Sequence, residues 1–347
     1  MKKMLTKIAA VLMSALMITG CAGQGAGTAG SSSDKISIVA TIFPEYDWVV
    51  QILGDKAENA DVTMLLDNGV DLHSYQPTAA DILKIADCDM FIYVGGESDE
   101  WVEDALAEAV NKDMVVINLL EVLGDSVKEE EVVEGMQEED EHEHHHDEDE
   151  DHDEDEDHDH DHDHEEEEVE YDEHVWLSLR NASVLCDAIA DGLATVDPDN
   201  ASAYQANNEA YKAQLSALDA QYKEVVEGAA FDTLLFGDRF PFRYLTDDYN
   251  LNYYAAFVGC SAESEASFET IVFLAGKTDE LGLNSIMTIE SSDQKIAQTI
   301  RDNTADKDQE IYALDSMQST TSADVNNGTT YMSVMSTNLE VLKKALN

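Results

Sequence analysis

The chain has 347 residues, of which 75 are acidic and 19 are basic, so its formal net charge at pH 7 is −56. A chain of this length suits two domains of ordinary size better than one. So large an excess of negative charge disfavours nucleic acid and anionic membrane faces as partners, and it attracts cationic ligands.

The first twenty residues have the composition of an export signal. An apolar stretch too short to span a membrane as a mature helix is preceded by three lysines, Lys2, Lys3 and Lys7. Small residues then lead to Cys21, a pattern that resembles a bacterial lipoprotein signal. The resemblance implies that residues 1–20 are removed, that Cys21 is lipidated, and that residues 21–35 form a flexible tether. An ordinary secretory signal with an incidental cysteine is the alternative.

Three further cysteines are widely spaced: Cys88, Cys186 and Cys260. Because their number is odd and no CxxC pair is present, they predict neither a disulfide framework nor a thiolate metal site. Cys88 begins a predicted strand, and Cys186 lies on the apolar face of a predicted helix. We therefore expect both to pack in the core.

From Ile36 onward, short apolar runs alternate with longer helical ones. The predicted strands of the first half are ISIVATI, ADVTMLL, DMFIYVG and MVVINLL, and the helices between them include YDWVVQIL, TAADILKIA and DEWVEDALAEAV. Such alternation is typical of parallel β-α units whose helices cover both faces of a sheet. We assign residues 36–197 to an N-terminal lobe.

An unbroken run of acidic residues and histidines interrupts this lobe at residues 138–168. It contains 22 acids and nine of the 11 histidines of the chain. Since the run has no apolar side chain to bury and its carboxylates repel one another, we expect a solvated loop. Imidazole and carboxylate groups are ligands for zinc and other divalent ions. The run therefore predicts weak metal collection by its histidines, which are His142, His144, His145, His146, His152, His158, His160, His162 and His164.

A helix of about 30 residues is predicted over residues 198–228. Pro198 begins it, Gly228 ends it, and apolar residues recur along it at intervals of three, four or seven. Alternation then resumes over residues 229–347, with predicted strands DTLLFG, NYYAAFV, SIMTIE and EIYALDS. The predicted fold class is α/β, with two small lobes, each a parallel sheet flanked by helices, joined by one long rigid helix.

Ligands of open α/β sheets bind beyond the carboxyl ends of the strands. His73 and His174 are the two histidines outside the run, and each lies in a loop just before a predicted helix. Either one alone is most simply a structural histidine, but two of them in a chain with a metal-attracting run favour a metal site. In the second lobe, three acidic residues stand at or directly after the carboxyl ends of predicted strands: Asp238, Glu290 and Asp315.

Several stretches resemble the zinc- and manganese-binding lipoproteins of bacterial ABC importers. They are GVDLHSYQPTAADILKIADCDMFIYVGGESDEW, the acidic run, DEHVWLS, the long helix, and LDSM followed by TYMSVMSTNL. The resemblance implies a metal in a cleft between the lobes, held by His73, His174 and Asp315. It also implies a receptor rather than an enzyme, which is lipid-anchored outside the cytoplasm and delivers metal to an ABC permease. We expect it to be a monomer.

One position departs from the family pattern. Where the family has a histidine, or a glutamate in manganese binders, the segment FGDRFPFRYL places Gly237, which has no ligand atom. Asp238, Glu290, a histidine of the run, or water is then expected to complete the coordination, since zinc takes four donors and accepts water as one. The adjacent Arg239 would repel a metal unless a carboxylate pairs with it, and the candidates are Glu263 and Glu265.

The identity of the metal and the class of protein leave alternatives. Histidine ligands favour zinc, whereas more oxygen donors would favour manganese. A zinc hydrolase would share the constellation because a metal-bound water is a nucleophile, but the chain has no HExxH motif. A surface adhesin or metal-buffering lipoprotein would use the run itself as the working part. We expect instead that the run supplies metal to the cleft.

Overall fold

The computed structural model describes residues 35–137, 170–261 and 265–347, and residues 35–347 form one compact unit. The lipidation site Cys21, the acidic run and Glu263 lie outside the described residues. None of the described helices combines the length and the apolar character needed to cross a membrane.

Eight strands in the described residues form two four-stranded parallel sheets. The first sheet contains β1 (Ile36–Ala40), β2 (Ala60–Met64), β3 (Met90–Tyr93) and β4 (Val115–Asn118). The second contains β5 (Thr233–Phe240), β6 (Asn252–Val258), β7 (Ser285–Ile289) and β8 (Glu310–Leu314). The strand orders are β2-β1-β3-β4 and β6-β5-β7-β8, so the two sheets repeat one topology.

Helices connect the strands, as parallel neighbours require. They are α1 (Phe43–Leu53), α2 (Ala79–Asp87), α3 (Trp101–Ala107), α4 (Leu119–Leu123), α5 (Leu179–Val196), α6 (Ala201–Glu227), α7 (Arg243–Tyr249), α8 (Phe268–Leu281), α9 (Lys295–Asn303), α10 (Ser322–Asn326) and α11 (Tyr331–Ala345). The predicted α/β fold class is therefore confirmed. The lobe boundaries stay predictions, since residues 35–347 form one compact unit.

The long helix α6 has 27 residues and follows a short 3-10 turn, Pro198–Asn200, at its predicted start. At 1.5 Å per residue it is about 40 Å long. Near its start, Asn207 donates a hydrogen bond to the carbonyl of Ile52 in α1, at 2.9 Å. Near its end, Tyr222 donates to the carbonyl of Met335 in α11, at 2.6 Å. The helix thus contacts one helix from each half of the chain.

The last helix, α11, also contacts the first half of the chain. Tyr331, at its start, is fully buried, and its ring centroid lies 5.2 Å from that of Trp48. Its hydroxyl donates to the carbonyl of Trp176 at 2.6 Å, and its backbone N–H donates to Asp47 at 3.0 Å. One hydrophobic core therefore extends through both halves of the described chain.

The cysteines Cys88 and Cys186 are fully buried, in agreement with the core packing expected of them. Cys186 lies in α5, as predicted. Cys88, however, caps the end of α2, and β3 begins two positions later at Met90. The start of that strand was therefore predicted too early.

Candidate metal centre

His73 lies in a 3-10 turn, Leu72–Ser74, in the loop that follows β2. The carboxylate of Asp71 caps this turn by accepting a hydrogen bond from the backbone N–H of His73 at 3.1 Å. The hydroxyl of Ser98 lies 2.8 Å from Nδ1 of the imidazole. These contacts fix the orientation of the ring and leave Nε2 available for a ligand.

His174 is fully buried and directly precedes a second 3-10 turn, Val175–Leu177. One carboxylate oxygen of Asp172 accepts a hydrogen bond from the backbone N–H of His174 at 2.9 Å and lies 2.9 Å from its Nδ1. The carbonyl of Asp172 is itself held by the hydroxyl of Tyr244 at 2.8 Å. A carboxylate on Nδ1 places the proton there and makes Nε2 the ligand atom.

The structure brings these two predicted ligands together. Nε2 of His73 lies 3.2 Å from Nε2 of His174. A zinc ion bound at 2.0–2.1 Å to two nitrogens with tetrahedral angles would hold them roughly 3.3 Å apart. The two Nε2 atoms are hydrogen-bonded to each other in this structure, and their separation is also one that a bound zinc ion would accept, with each Nδ1 turned away toward a protein oxygen.

Cys260 is the third side chain at this place. One ligand atom from each of Cys260, His73 and His174 lies within 4.8 Å of the other two. Cys260 follows β6, and its backbone N–H donates to Glu130 at 3.2 Å. Burial and the neighbouring carboxylates, Glu130 first among them, raise the pKa of the Cys260 thiol. Sequence reasoning missed this residue, although its position after a strand was a usable signal.

The two imidazoles hold protons differently. Burial and the charge of His174 lower the pKa of His73 from 6.5 to about 3, so this ring is neutral. Burial also acts to lower the pKa of His174, but the charge and the hydrogen bond of Asp172 outweigh it and raise that pKa above 6.5. A metal bound between the two Nε2 atoms therefore competes with a proton held by this pair.

Glu173 supplies an acceptor beside His73. Its Oε1 accepts a hydrogen bond from the backbone N–H of Ser98 at 2.9 Å, whereas its buried Oε2 has no hydrogen-bond partner. That oxygen lies 3.5 Å from Nδ1 of His73. Burial raises the pKa of Glu173 to about 7. If Nε2 of His73 bound a metal, the ring would carry its proton on Nδ1, where Ser98 or Glu173 could accept a hydrogen bond from it.

A cavity of about 240 Å³ opens onto this group of residues. Besides His73 and Cys260, its lining consists of Ser98, Tyr171 and four carboxylates, Glu97, Glu130, Glu170 and Glu173. The chain segments that flank the acidic run meet at the same cavity, since the backbone N–H of Glu130 donates to the carbonyl of Glu170 at 2.9 Å. The cavity, which we call the acidic vestibule, is therefore lined by His73 and by residues of both segments that flank the run in the sequence.

The predicted ligand Asp315 directly follows β8. Its carboxylate accepts a hydrogen bond from the backbone N–H of Met317 at 2.8 Å, and burial, followed by the charge of Glu290, raises its pKa to about 6. The next residue, Ser316, accepts a hydrogen bond from Trp176 through its carbonyl at 2.9 Å. Asp315 thus begins a loop that contacts the turn after His174. It is not in the group of described residues whose ligand atoms lie within 4.8 Å, and its role stays a prediction.

Glu290 follows β7 and is engaged by the same loop. Its carboxylate accepts hydrogen bonds from the backbone N–H of Ser316 at 2.8 Å, from the hydroxyl of Ser316 at 3.0 Å and from the hydroxyl of Ser319 at 3.1 Å. These contacts explain its position without a metal. Like Asp315, it lies outside the group that contains the two histidines.

Gly237 lies inside β5, at a shift of strand register between Phe236 and Arg239. A Cβ atom at this position would lie 2.6 Å from the Cα of Ala297 in α9, so no side chain fits there. The neighbouring Asp238 accepts the backbone N–H of Arg239 at 2.9 Å, and burial raises its pKa. Asp238 too lies outside the described group of closely spaced ligand atoms.

Arg239 pairs with Asp71, next to His73 in the chain. The guanidinium also donates to the carbonyl of Ser261 at 3.4 Å. Burial acts to raise the pKa of Asp71, but Arg239 and His73 hold it below 3.8. The partner found is therefore not Glu265, one of the two candidates, and the other candidate, Glu263, lies outside the described residues. The pair with Asp71 neutralises the cation and links the strand β5 to the His73 loop.

Comparison with known proteins identifies the family. The model of the family described as "Zinc-uptake complex component A periplasmic" matches residues 38–345. The zinc-binding lipoprotein AdcA of Streptococcus pneumoniae is 29% identical over 340 residues, which are 97% of this chain and 60% of the relative. The high-affinity zinc uptake system protein ZnuA of Bacillus subtilis is 29% identical over 332 residues, 95% of this chain and 94% of the relative. The chain thus spans about three fifths of AdcA.

Solved structures agree with these relationships. The Zn(II)-bound ZnuA-like domain of Streptococcus pneumoniae AdcA matches with a TM-score of 0.66 and 26% identity, over 90% of this chain and 99% of that domain. The metal-dependent lipoprotein YcdH from Bacillus subtilis matches with a TM-score of 0.67 and 25% identity, over 90% and 99% of the two chains. The chain therefore belongs to the zinc-uptake complex component A family.

Proposed function

We propose that this protein binds one zinc ion tightly between its two sheets and delivers it to an ABC permease for import. The observation that carries the proposal is the 3.2 Å separation of the two Nε2 atoms of His73 and His174. Each Nδ1 atom faces a protein oxygen, so both rings present their Nε2 atoms to the same point. The zinc-binding names of the relatives support the same function.

The proposed ligands are His73 and His174 from the first half of the chain and Asp315 from the second. Asp172 would keep His174 in the tautomer that binds metal through Nε2, and Glu173 would do so for His73. Two imidazoles suit zinc, whereas manganese prefers carboxylate, carbonyl and water oxygens. Zinc is therefore the proposed cargo, and the manganese alternative has no support among the relatives described above.

The acidic vestibule provides the proposed route to the site. Four carboxylates surround the space in front of His73 and Cys260, and they attract a cation without binding it in the geometry of the site. The run at residues 138–168 would collect zinc through its histidines, and its flanking segments meet at this vestibule. The run thus feeds the site in this proposal, and the cleft holds the ion.

The remaining parts of the proposal concern location. The chain would act as a monomer on the outer face of the cell membrane, held by a lipid on Cys21. Replacing Cys21 by Ser should release the protein from the membrane fraction, which cell fractionation measures. A wild-type chain found in the cytosol would contradict this location.

Zinc titration of the full chain in competition with a chelator tests the binding function. His73→Ala and His174→Ala should each remove the tight site while weak binding by the run persists. His158→Ala, which removes one histidine of the run, is the matched control and should keep one tight zinc. Tight binding that survives both His73→Ala and His174→Ala would place the site elsewhere. In cells that depend on the protein for zinc, import should be lost with His73→Ala and with His174→Ala, and it should be retained with His158→Ala.

A further inference from the structure

The convergence of Cys260 with the two histidines has no counterpart elsewhere in the described chain. Among the described residues, it is the one group of three or more His, Cys, Asp or Glu side chains whose ligand atoms all lie within 4.8 Å of one another. A metal bound 2.3 Å from sulfur and 2.0–2.1 Å from nitrogen holds these atoms roughly 3.6 Å apart. The thiol and the imidazoles therefore need to approach each other by no more than roughly 1.2 Å.

The loop after β6 is built to approach His174. A Cβ atom at Gly259 would lie 3.0 Å from Cε1 of His174 and 2.9 Å from the carbonyl oxygen of Phe240. The absence of a side chain at Gly259 therefore lets this turn pack directly on the imidazole. Cys260 comes next in the chain, and the hydrogen bond of its backbone N–H to Glu130 fixes the turn.

No side chain from β5 takes this position. A ligand at Gly237 is excluded by the contact with Ala297, and Arg239 is paired with Asp71. Strand β6 is the neighbour of β5 in the same parallel sheet, so the carboxyl ends of both strands lie at one edge. Cys260 thus reaches the histidines from the strand beside the one that lacks a ligand.

The surroundings of Cys260 differ from those of a structural cysteine. Cys88 and Cys186 are fully buried among apolar side chains of the core. Cys260 is half-buried and lines the acidic vestibule together with His73. Its position suits contact with an ion that enters through the vestibule.

We propose that Cys260 is a third protein ligand of the metal, which completes a set of two imidazoles and one thiolate and leaves the fourth position to Asp315 or water. This assignment rests on the function proposed above. It also bears on which metal the site prefers. On binding, the thiol proton leaves to solvent and the sulfur lone pair forms the bond to the ion. Because thiolate is a soft ligand that suits zinc better than manganese, a Cys260 ligand favours zinc over manganese as the cargo.

Cobalt(II), added at one equivalent to the full chain, is the probe that tests this assignment. A cobalt–thiolate bond gives a near-ultraviolet charge-transfer absorption that nitrogen and oxygen ligands do not give. Wild type should show this band, Cys260→Ser should lose it, and Cys21→Ser, the matched control, should keep it. Loss of a group that only orients a metal ligand lowers the metal affinity by roughly 10- to 100-fold. Because Cys260 is proposed as a ligand itself, the zinc affinity of Cys260→Ser should fall by at least roughly tenfold.

Alkylation of the wild-type chain gives a second measurement that does not depend on the folding of a variant. One equivalent of zinc should slow modification of Cys260, as mapped by mass spectrometry. A wild-type chain that binds one zinc tightly but shows no thiolate band, or no protection of Cys260, would overturn the ligand assignment alone. A wild-type chain that binds neither ion would overturn the proposed function as well.

Discussion

The carboxylate of Asp172 holds His174 at two points, the backbone N–H and the imidazole Nδ1, both at 2.9 Å. We expect Asp172→Asn to weaken zinc binding by roughly 10- to 100-fold, because a neutral amide neither raises the basicity of the ring nor fixes its tautomer as well. Chelator competition measures the change. Asp113→Asn, at an exposed position, is the control and should bind like wild type. An unchanged affinity in Asp172→Asn would mean that the backbone alone orients His174.

Acid should weaken zinc binding. The pKa of His174 is raised above 6.5, so its protonated form is stabilised and competes with the metal as the pH falls through and below neutrality. Each proton displaced by the ion lowers the affinity by about tenfold per pH unit below the relevant pKa. Protonation of Glu173, whose burial raises its pKa to about 7, acts in the same direction because it removes an acceptor beside His73. Competition titrations across this range measure the slope. A flat affinity between about pH 7 and about pH 5 would exclude His174 as a ligand, whereas His73, whose pKa is about 3, stays neutral across this range.

Gly237→Ala should destabilise the fold without restoring a ligand. The new Cβ would meet the Cα of Ala297 at 2.6 Å, and such overpacking costs about 1–3 kcal/mol. Gly276→Ala is the matched control, since that glycine lies exposed in α8 with nothing within 4 Å of an added Cβ. It should stabilise the chain by about 0.5–1 kcal/mol through its better helix propensity. Denaturant unfolding measures the free energy of unfolding of both variants. Equal values would show that α9 shifts away from the new methyl group at little cost.

Deleting residues 138–168 should separate capture from binding. One tight zinc should remain per chain, while the rate of capture at low salt should fall because the deleted charge steers cations but does not hold the bound ion. Stopped-flow mixing and stoichiometric titration measure the two quantities. A deleted chain that stays folded but binds no zinc at micromolar concentration would make the run itself the site, as the metal-buffering alternative requires.

The sequence predicted most of the architecture because its apolar runs report directly on strands and helices. It also singled out His73 and His174, since few histidines lie outside the run and both stand in loops before helices. Cys260 was missed because its closeness to His174 depends on how the second sheet packs against the first half of the chain. Spacing along the chain does not report on that packing.

Two residues of β5 have contacts that differ from those expected from the sequence. Gly237 was interpreted as a missing ligand, whereas the structure gives it a packing role against Ala297. Arg239 was expected to pair within its own lobe, but its partner is Asp71 in the first half of the chain. Contacts of this kind depend on side-chain geometry between elements far apart in sequence, and residue type alone does not predict them.

The burial of Tyr331 between Trp48 and the turn after His174 has a consequence for the order of folding. The ring belongs to the last helix, yet it fills the interior of the first half of the chain and bonds to Trp176 and Asp47. A nascent chain that has emerged only as far as the first sheet lacks this ring and the hydrogen bonds that it makes. The N-terminal half therefore cannot finish packing until α11 has been synthesised and has docked on it.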